Sequence, residues 1–292
     1  MLHYHKILLA ITTLLLIATS HEILPGSAPF RQSYTILADN GSIAGTITIA
    51  VADMLKDPTD AIVNAANTGC LGGGFIDGAI HQAAGPELRK FNQTLPSGEG
   101  GRCPVGEARI SPAFKFHTSD KTTNIATYII STTGPQGDDT EHREDLLRSC
   151  YRSALDLAAA VKIPAYRAQL LKQQKFLTKN FDLLAESLET DLPDINSISF
   201  PLISGGVFGY HAKDSYKVVL KEVINWMKKH PGIVNDIRFY FWSTGQPQSA
   251  VDAYDYYEHW LNDYLEKQGR ARTAVTVFSR DISILSLVSS PR

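Results

Sequence analysis

Two glycine-rich loops, each directly after a short apolar segment, constrain the fold of this chain more than any other feature. The first loop lies within residues 64–81 (NAANTGCLGGGFIDGAIH), and the second covers residues 204–210 (SGGVFGY). Consecutive glycines let the backbone approach a ligand closely and turn its N–H groups toward an anion. A helix that begins after such a loop adds the partial positive charge of its N-terminus. Both loops are therefore candidate ligand-binding segments.

Strand and helix patterns alternate around these loops. Apolar runs predict strands at residues 34–37, 46–51, 61–64, 128–131, 198–203 and 237–242, and periodic apolar positions predict helices at 80–95, 141–161, 166–188, 215–229 and 253–267. Such alternation indicates an α/β fold with a largely parallel central sheet and helices on both faces. Ligands bind such sheets beyond the carboxyl ends of strands, where both loops lie.

The composition excludes several classes of function. The 292 residues carry 28 Lys and Arg against 30 Asp and Glu, which does not support binding of nucleic acid through a basic surface. The cysteines are Cys70, Cys103 and Cys150, and none forms a Cys-x-x-Cys pair. This count argues against a disulfide-dense scaffold or a zinc clamp, and we predict a monomer with at least one free thiol, no metal and no cofactor.

An apolar run near the N-terminus indicates export. Residues 7–18 read ILLAITTLLLIA and follow Lys6. This run is shorter than the about 20 residues that a membrane-spanning helix needs. It resembles the apolar region of a signal peptide, and Ala18 and Ser20 are small residues suited to a cleavage site. We therefore expect residues 1–20 to be a signal peptide and the protein to be secreted or periplasmic. The alternative is an uncleaved N-terminal segment that anchors the protein to a membrane.

The rest of the chain divides into three parts. Residues 21–33 contain two prolines and little periodicity, which predicts a linker. Residues 34–268 form the predicted domain, with a helical insertion at about 165–195. Residues 269–292 form a C-terminal extension.

The first loop does not match the best-known phosphate-binding motifs. Asp77 stands where a dinucleotide-binding fingerprint requires its third glycine, and no Gly-Lys-Ser/Thr follows as in a P-loop. On glycine content alone, both loops could equally be tight turns whose glycines satisfy the backbone.

Five motifs in order are similar to the macrodomain family, specifically its MacroD-like hydrolase branch. They are A-D-M at 52–54, A-I-V-N-A-A-N with L-G-G-G and D-G-A-I-H at 61–81, C-P-V-G-E-A at 103–108, S-T-T-G-P at 131–135 and F-P-L-I-S-G-G-V-F-G-Y at 200–210. The resemblance covers residues 34–268. It implies a three-layer α/β/α sandwich with a mixed, mostly parallel sheet that binds ADP-ribose or an ADP-ribosylated protein in a cleft.

The resemblance also implies roles for individual residues. Asp53 would accept a hydrogen bond from the adenine amino group, and Met54 would add a backbone contact. Asn67 would hold the distal ribose and Asp77 would activate a water, with His81 one helical turn further on supporting the same region. The other expected ligand-binding residues are Gly72, Gly73, Gly74, Phe75 and Ile76 on one wall, Ser204, Gly205, Gly206, Val207 and Phe208 on the other, and Trp242 near the adenine by position alone.

Each of these polar residues also has a structural interpretation. Asp77 could cap the helix that follows it, and Asn67 could hold its own turn through its side chain. A histidine in the position of His81 is more often structural than catalytic.

The implied activity is hydrolysis of mono-ADP-ribosyl esters on acidic side chains, of O-acetyl-ADP-ribose, or of both. Phe75 departs from the family, which keeps a fourth glycine there. A side chain at this position would crowd the distal ribose, strain the loop if its φ is positive, or add a stacking wall. A binding module without catalysis is therefore the alternative function, and an interaction protein that uses the inserted helix is a weaker one.

Overall fold

The computed structural model describes residues 30–116, 125–136, 142–188, 192–241 and 247–269. The predicted signal peptide, the linker up to Pro29, Trp242 and the C-terminal extension after Gly269 lie outside these residues. None of the described helices combines the length and the apolar character that crossing a membrane requires.

The described part of the chain contains seven strands and seven helices. The strands are β1 (Arg31–Leu37), β2 (Ile43–Val51), β3 (Ala61–Ala66), β4 (Ala108–Pro112), β5 (Tyr128–Thr133), β6 (Ser197–Pro201) and β7 (Asp236–Phe241). The helices are α1 (Phe75–Ala84), α2 (Pro86–Thr94), α3 (Arg143–Lys162), α4 (Pro164–Gln173), α5 (Phe176–Leu188), α6 (Ala212–Lys229) and α7 (Pro247–Lys267), and a short 3-10 turn covers Met54–Lys56.

The strands form one mixed sheet in the order β1-β2-β7-β6-β3-β5-β4. The five central strands are parallel, and both edge strands pair antiparallel to their neighbours. Helices cover both faces. Residues of β3 alternate between them, since Ala61 and Val63 pack with α3 and α6 while Ile62 packs with α1 and α2. The prediction of a three-layer α/β/α sandwich with a mostly parallel sheet is confirmed.

The central strands β3 and β6 separate toward their carboxyl ends. They pair only at Ala61–Ile198 and Ile62–Ser199, although β3 continues to Ala66 and β6 to Pro201. Each strand remains paired with its other neighbour to its end, β3 with β5 and β6 with β7. The chain leaves β3 toward α1 on one face and leaves β6 toward α6 on the other. Such a divergence creates a crevice between the two strand ends.

The domain begins earlier than the sequence predicted. β1 starts at Arg31, so the predicted boundary at residue 34 was wrong, and residues 31–33 belong to the sheet rather than to a linker. These three residues pair with β2, and the Ser33 hydroxyl hydrogen-bonds the Thr48 hydroxyl at 2.8 Å. They are polar because they lie at the partly exposed start of an edge strand, where no apolar run marks a strand.

The insertion consists of two helices rather than the single helix predicted from residue 166 to 188. The helical periodicity breaks at Gln174, and α5 begins at Phe176. Leu170, Leu177 and Leu184 are buried, as the predicted apolar stripe requires.

The second inserted helix protects an edge strand that the sequence analysis did not predict. Asn180 of α5 is fully buried, and its amide hydrogen-bonds both backbone groups of Ile110 on β4, at 2.9 Å to the N–H and 2.6 Å to the carbonyl. An unpaired edge strand would otherwise present these groups as a template for pairing with another chain. The inserted helix α5 therefore covers part of the free edge of β4 and satisfies its backbone groups at Ile110.

All three cysteines are free and buried. Cys150 lies in the core, as predicted from its position on the helix stripe. Burial raises the pKa of Cys103 to about 11 and the pKa values of Cys70 and Cys150 to about 12. The three thiols therefore stay protonated at neutral pH and act as packing groups.

Replacing Asn180 with Ala should destabilise the protein by about 2–3 kcal/mol, because both backbone groups of Ile110 lose a buried partner. Urea unfolding followed by circular dichroism measures this change. Lys179→Ala, on the exposed side of the same turn, serves as the matched control and should shift stability by less than about 0.5 kcal/mol. Equal unfolding midpoints for the two variants would contradict the proposed role of Asn180.

Candidate functional site

The two glycine-rich loops lie on opposite sides of the crevice between β3 and β6. Loop 1 (residues 67–74) connects β3 to α1, and loop 2 (residues 202–211) connects β6 to α6. Asp53 follows β2, which is three strand positions away from β3 in the sheet. Strands are spaced by about 4.8 Å, so Asp53 and loop 1 mark the two ends of a site about 14 Å long. The strand ends therefore suit an extended ligand.

Five carbonyl groups of loop 1 accept hydrogen bonds from other groups of the protein. The acceptor and donor pairs are Asn67 O with Cys70 N (3.0 Å), Thr68 O with Arg102 N (2.8 Å), Cys70 O with Asn92 Nδ2 (2.8 Å), Leu71 O with Arg89 Nη1 (2.7 Å) and Gly72 O with Asn67 Nδ2 (3.1 Å). The first N–H groups of α1 have no partner within the helix, and Gly74 has no side chain to cap them. Loop 1 and the start of α1 thus keep donors for a ligand, which suits an anion.

The three predicted catalytic residues lie close together, with Asn67 at the start of loop 1 and with Asp77 and His81 on α1. The side chain of Asn67 approaches Asp77 Oδ2 at 3.4 Å, and His81 Nε2 lies 3.5 Å from Asp77 Oδ1. Asp77 is only 4% exposed. Burial raises the pKa of the Asp77 carboxyl above its usual range and lowers the pKa of His81. A carboxylate with a raised pKa is a stronger base than an exposed one.

Asn64 holds this carboxylate, a role that the sequence analysis did not assign. Its Nδ2 donates to Asp77 Oδ1 at 2.8 Å and lies 3.4 Å from the Ser131 hydroxyl. Asn64 is fully buried within β3, and Ser131 is buried in β5. An asparagine inside an otherwise apolar strand is the signal that could have identified it, because buried polar side chains need a partner.

The glycines of the two loops serve different purposes. A Cβ on Gly73 would lie 2.8 Å from Asp77 Oδ2, and one on Gly205 would lie 2.3 Å from Leu202, so both are required by close packing within the protein. Gly74 and Gly206 have no protein atom within 4 Å of such a Cβ, and neither has a positive φ. Nothing in the described part of the protein requires glycine at these two positions. Both glycines border open space, where a ligand can approach the backbone closely.

Loop 2 is held in place by its own backbone. Ser204 has φ +64°, and its carbonyl accepts a hydrogen bond from Tyr210 N at 2.9 Å. Its side chain packs on Gly134, where a Cβ would lie 2.0 Å from the Ser204 hydroxyl oxygen. Phe208 is half-buried in the same loop. Loop 2, one of the two predicted walls of the ligand site, is therefore a turn whose backbone conformation is fixed by its own hydrogen bond and by packing on Gly134.

Phe75 adopts the positive φ that the sequence analysis anticipated as a source of strain. Its φ is +54°, a left-handed conformation that is uncommon for bulky residues. The residue is 69% exposed, and the adjacent Ile76 is half-buried. The ring therefore extends into solvent at the start of α1.

At the far end of the site, Asp53 caps the 3-10 turn after β2. Its Oδ1 accepts a hydrogen bond from Leu55 N at 3.0 Å, and Lys56 Nζ lies 3.7 Å from Oδ2. Met54 is buried beneath the turn, which leaves only its backbone for contact with a ligand. Trp242, predicted on the same side, lies outside the described residues.

A cavity of about 570 Å³ lies beside loop 1. Its lining includes Gly72 and Gly73 of loop 1, His81 of α1 and Arg89 of α2. His81 therefore borders this cavity and also lies within 3.5 Å of the Asp77 carboxylate.

These features define an α/β protein with a preformed site for an extended anionic ligand at a divergence of its central strands. A Macro domain family model matches residues 63–219. A Macro domain-containing protein of Listeria monocytogenes is 39% identical over 195 residues, which cover 66% of this chain and 88% of that protein. ADP-ribose glycohydrolase MACROD1 of Mus musculus is 34% identical over 186 residues, which cover 63% of this chain and 44% of that protein.

Solved structures agree with the sequence comparison. The Oceanobacillus iheyensis macrodomain with ADP is 30% identical, with a TM-score of 0.56, and the match covers 82% of this chain and 99% of that one. An asparagine-to-alanine variant of the same macrodomain is also 30% identical, and it matches with a TM-score of 0.60 over 83% of this chain and 97% of that one. This chain belongs to the Macro domain family, and the resemblance drawn from its motifs is confirmed.

Proposed function

We propose that this macrodomain binds ADP-ribose in the crevice and hydrolyses mono-ADP-ribosyl esters on acidic side chains, O-acetyl-ADP-ribose, or both. The observation that carries the proposal is the buried Asp77 carboxylate, held by Asn64 directly beside loop 1. Relatives named ADP-ribose glycohydrolases and a similar macrodomain solved with ADP support the same class of ligand.

In this proposal the ligand extends along the strand ends from loop 1 toward Asp53. The diphosphate lies against the donors of loop 1 and α1, and the open positions at Gly74 and Gly206 allow close approach. The adenine extends toward Asp53, about 14 Å away across the strand ends. The distal ribose then lies at Asn67 and Asp77.

Hydrolysis requires a positioned water and a base. Asp77 orients a water toward the ester linkage of the distal ribose and accepts its proton as the new bond forms. The departing group takes the electron pair of the bond that breaks. Asn67 fixes the ribose, and the N–H groups of loop 1 stabilise charge, so that binding also positions the reacting atoms.

The spacing of residues in a related protein supports this assignment. Structures of the Oceanobacillus iheyensis macrodomain include variants of an asparagine and of an aspartate ten residues further on. Asn67 and Asp77 have the same separation in this chain.

Binding without catalysis is the second candidate function. Both oxygens of Asp77 already contact Asn64, Asn67 or His81, so the carboxylate could serve only to hold loop 1. This arrangement would preserve the ligand site without a reactive base.

Purified protein should release ADP-ribose from a peptide ADP-ribosylated on glutamate. Asp77→Asn should keep the affinity for ADP-ribose within about threefold, yet lower kcat/KM at least about 100-fold, because it removes the base and keeps the shape. Calorimetry measures the affinity, and chromatography of released ADP-ribose measures turnover. Asp182→Asn, the same replacement at an exposed position of α5, is the matched control and should retain activity. Tight binding by the wild-type protein without any release would establish the binding module instead.

The raised pKa of Asp77 sets a pH dependence. The base acts only when deprotonated, so kcat/KM should fall as the pH decreases through the Asp77 pKa, at a pH above the usual value of 3.8. Because the pKa of His81 is lowered, His81 stays neutral above its usual value of 6.5 and adds no inflection there. A pH–rate profile from pH 4 to 8 tests this; a flat profile for the wild-type protein would contradict the role of Asp77.

We also propose that the protein acts outside the cytoplasm, on the basis of the apolar run at residues 7–18. Expression of the full chain in a bacterial host, followed by fractionation and intact-mass measurement, tests this location. Export with loss of about 20 residues supports a signal peptide. A full-length mass in the membrane fraction supports the anchor, and full-length protein in the cytoplasm overturns both.

A further inference from the structure

The connection from β2 to β3 must pass β7 and β6, which lie between these two strands in the sheet. It consists of residues 52–60, all of which the structure describes, and the 3-10 turn at Met54–Lys56 is its regular structure. Parallel strands are usually joined by a helix, whose packed face fixes the connection. A single 3-10 turn has poorer hydrogen-bond geometry than an α-helix and adds little stability. The position of Asp53, at the start of this turn, therefore depends on what holds the connection to the sheet.

Asp57, which ends the turn, fixes the connection to β1 and β7. Arg31 of β1 and Tyr240 of β7 both donate hydrogen bonds to Asp57 Oδ2. Arg238 Nη1 donates to Asp57 Oδ1 at 2.9 Å and to Pro58 O at 3.2 Å. Burial alone would raise the pKa of the Asp57 carboxyl, but the hydrogen bonds from Arg31 and Tyr240 hold this pKa below its usual range. Asp57 is therefore a carboxylate at neutral pH, and three side chains donate to it.

The register of the sheet brings these donors together. Arg31 pairs with Ala50 of β2, and Ala50 pairs in turn with Tyr240, so the three residues form one row across three strands. Arg238 lies two residues before Tyr240 on β7, which places both side chains on the same face of the sheet. The donors to Asp57 thus come from two different strands, and both strands fix its position.

Asp53 and Asp57 flank the same short turn. Asp53 Oδ1 accepts a hydrogen bond from Leu55 N at 3.0 Å, and Asp53 O accepts one from Lys56 N at 3.1 Å. These bonds fix Asp53 relative to the turn but not relative to the sheet. The buried side chain of Met54 and the contacts of Asp57 attach the turn to the sheet. A hydrogen bond to a ligand weakens steeply when its geometry departs from the favourable range, so Asp53 can recognise a base only if the turn is held in place.

We propose that Asp57 is a positioning residue that fixes Asp53 for recognition of the adenine amino group, so that the site selects adenine over purine bases without that group. The inference rests on the proposed function and deepens it by naming the residues that set base specificity. Asp57 acts through Asp53 and makes no contact with the ligand. The Tyr240 hydroxyl contributes to the same effect by holding Asp57.

Calorimetry with ADP-ribose and with inosine diphosphate ribose tests this role. In the second ligand, a carbonyl oxygen replaces the amino group of the base. The wild-type protein should bind ADP-ribose at least about tenfold more tightly, because only the amino group can donate to the Asp53 carboxylate. Asp57→Ala should weaken binding of ADP-ribose about tenfold and should not weaken binding of inosine diphosphate ribose. Tyr240→Phe, which keeps the ring and removes the hydroxyl, should lower the preference about threefold.

A double-mutant cycle separates positioning from damage to the fold. Asp53→Ala should lose the same preference, and adding Asp57→Ala to it should cause no further loss, because the effects of two residues that act through one contact are not additive. Asp39→Ala is the matched control. It also removes a carboxylate paired with a cation, Lys228 at 2.9 Å, but Asp39 precedes β2 whereas the site follows it. This control should leave both affinities unchanged.

Several results would overturn the role of Asp57. Equal weakening of both ligands in Asp57→Ala, or additive losses in the double variant, would show that Asp57 only stabilises the fold. Unchanged affinity for ADP-ribose in Asp57→Ala and Tyr240→Phe would show that neither residue positions Asp53. If Asp57→Ala does not fold, Tyr240→Phe takes its place in the cycle and decides by the same ratio of affinities.

The binding measurements also distinguish this inference from the proposed function. A wild-type protein that binds both ligands equally would overturn the selection of adenine, whereas hydrolysis of ADP-ribosyl esters could still be observed. A wild-type protein that prefers ADP-ribose but releases none from a modified peptide would support the positioning role and remove the catalytic part of the proposed function. A wild-type protein that binds neither ligand would overturn both.

Discussion

The incomplete pairing of β3 with β6 is the constraint on which the site depends. β3 and β6 pair only near their first residues, whereas β3 stays paired with β5, and β6 with β7, to the end of each strand. The two strands must therefore diverge toward their carboxyl ends. The divergence places loop 1 and loop 2 on opposite walls of one crevice. Without it, the two loops would pack against each other and leave no space for a ligand.

The same divergence explains why polar residues are buried in the centre of the sheet. Asn64 lies on β3 near the opening of the crevice, where it can hold Asp77 instead of needing a partner on β6. A buried carboxylate is costly unless hydrogen bonds compensate for lost water. Asn64 and Asn67 supply part of this compensation through their side-chain amides. The desolvation that they do not compensate raises the pKa of Asp77.

Most strands of the sheet could be predicted, because a strand that is buried on both faces has a continuous run of apolar residues in its sequence. This pattern identified β3, β5, β6 and β7. It failed at the two edges, where β1 begins with polar residues and β4 carries Arg109 and Ser111 within five residues. The edge strands depend on contacts with other elements. The Thr48 hydroxyl hydrogen-bonds Ser33 of β1, and the Asn180 side chain hydrogen-bonds Ile110 of β4 from a position 70 residues further along the chain.

The residues of the site were predictable by motif, but their separate tasks were not. The glycines of loop 1 look alike in the sequence, and only their surroundings distinguish Gly73, which packs on Asp77, from Gly74, which borders open space. By itself the sequence determined the class of fold, the two loops and the family, since these follow from local periodicity and residue order. The tertiary structure decided the divergence of β3 and β6, the burial of Asp77 and the exposure of Phe75, because each depends on contacts between segments far apart in the chain.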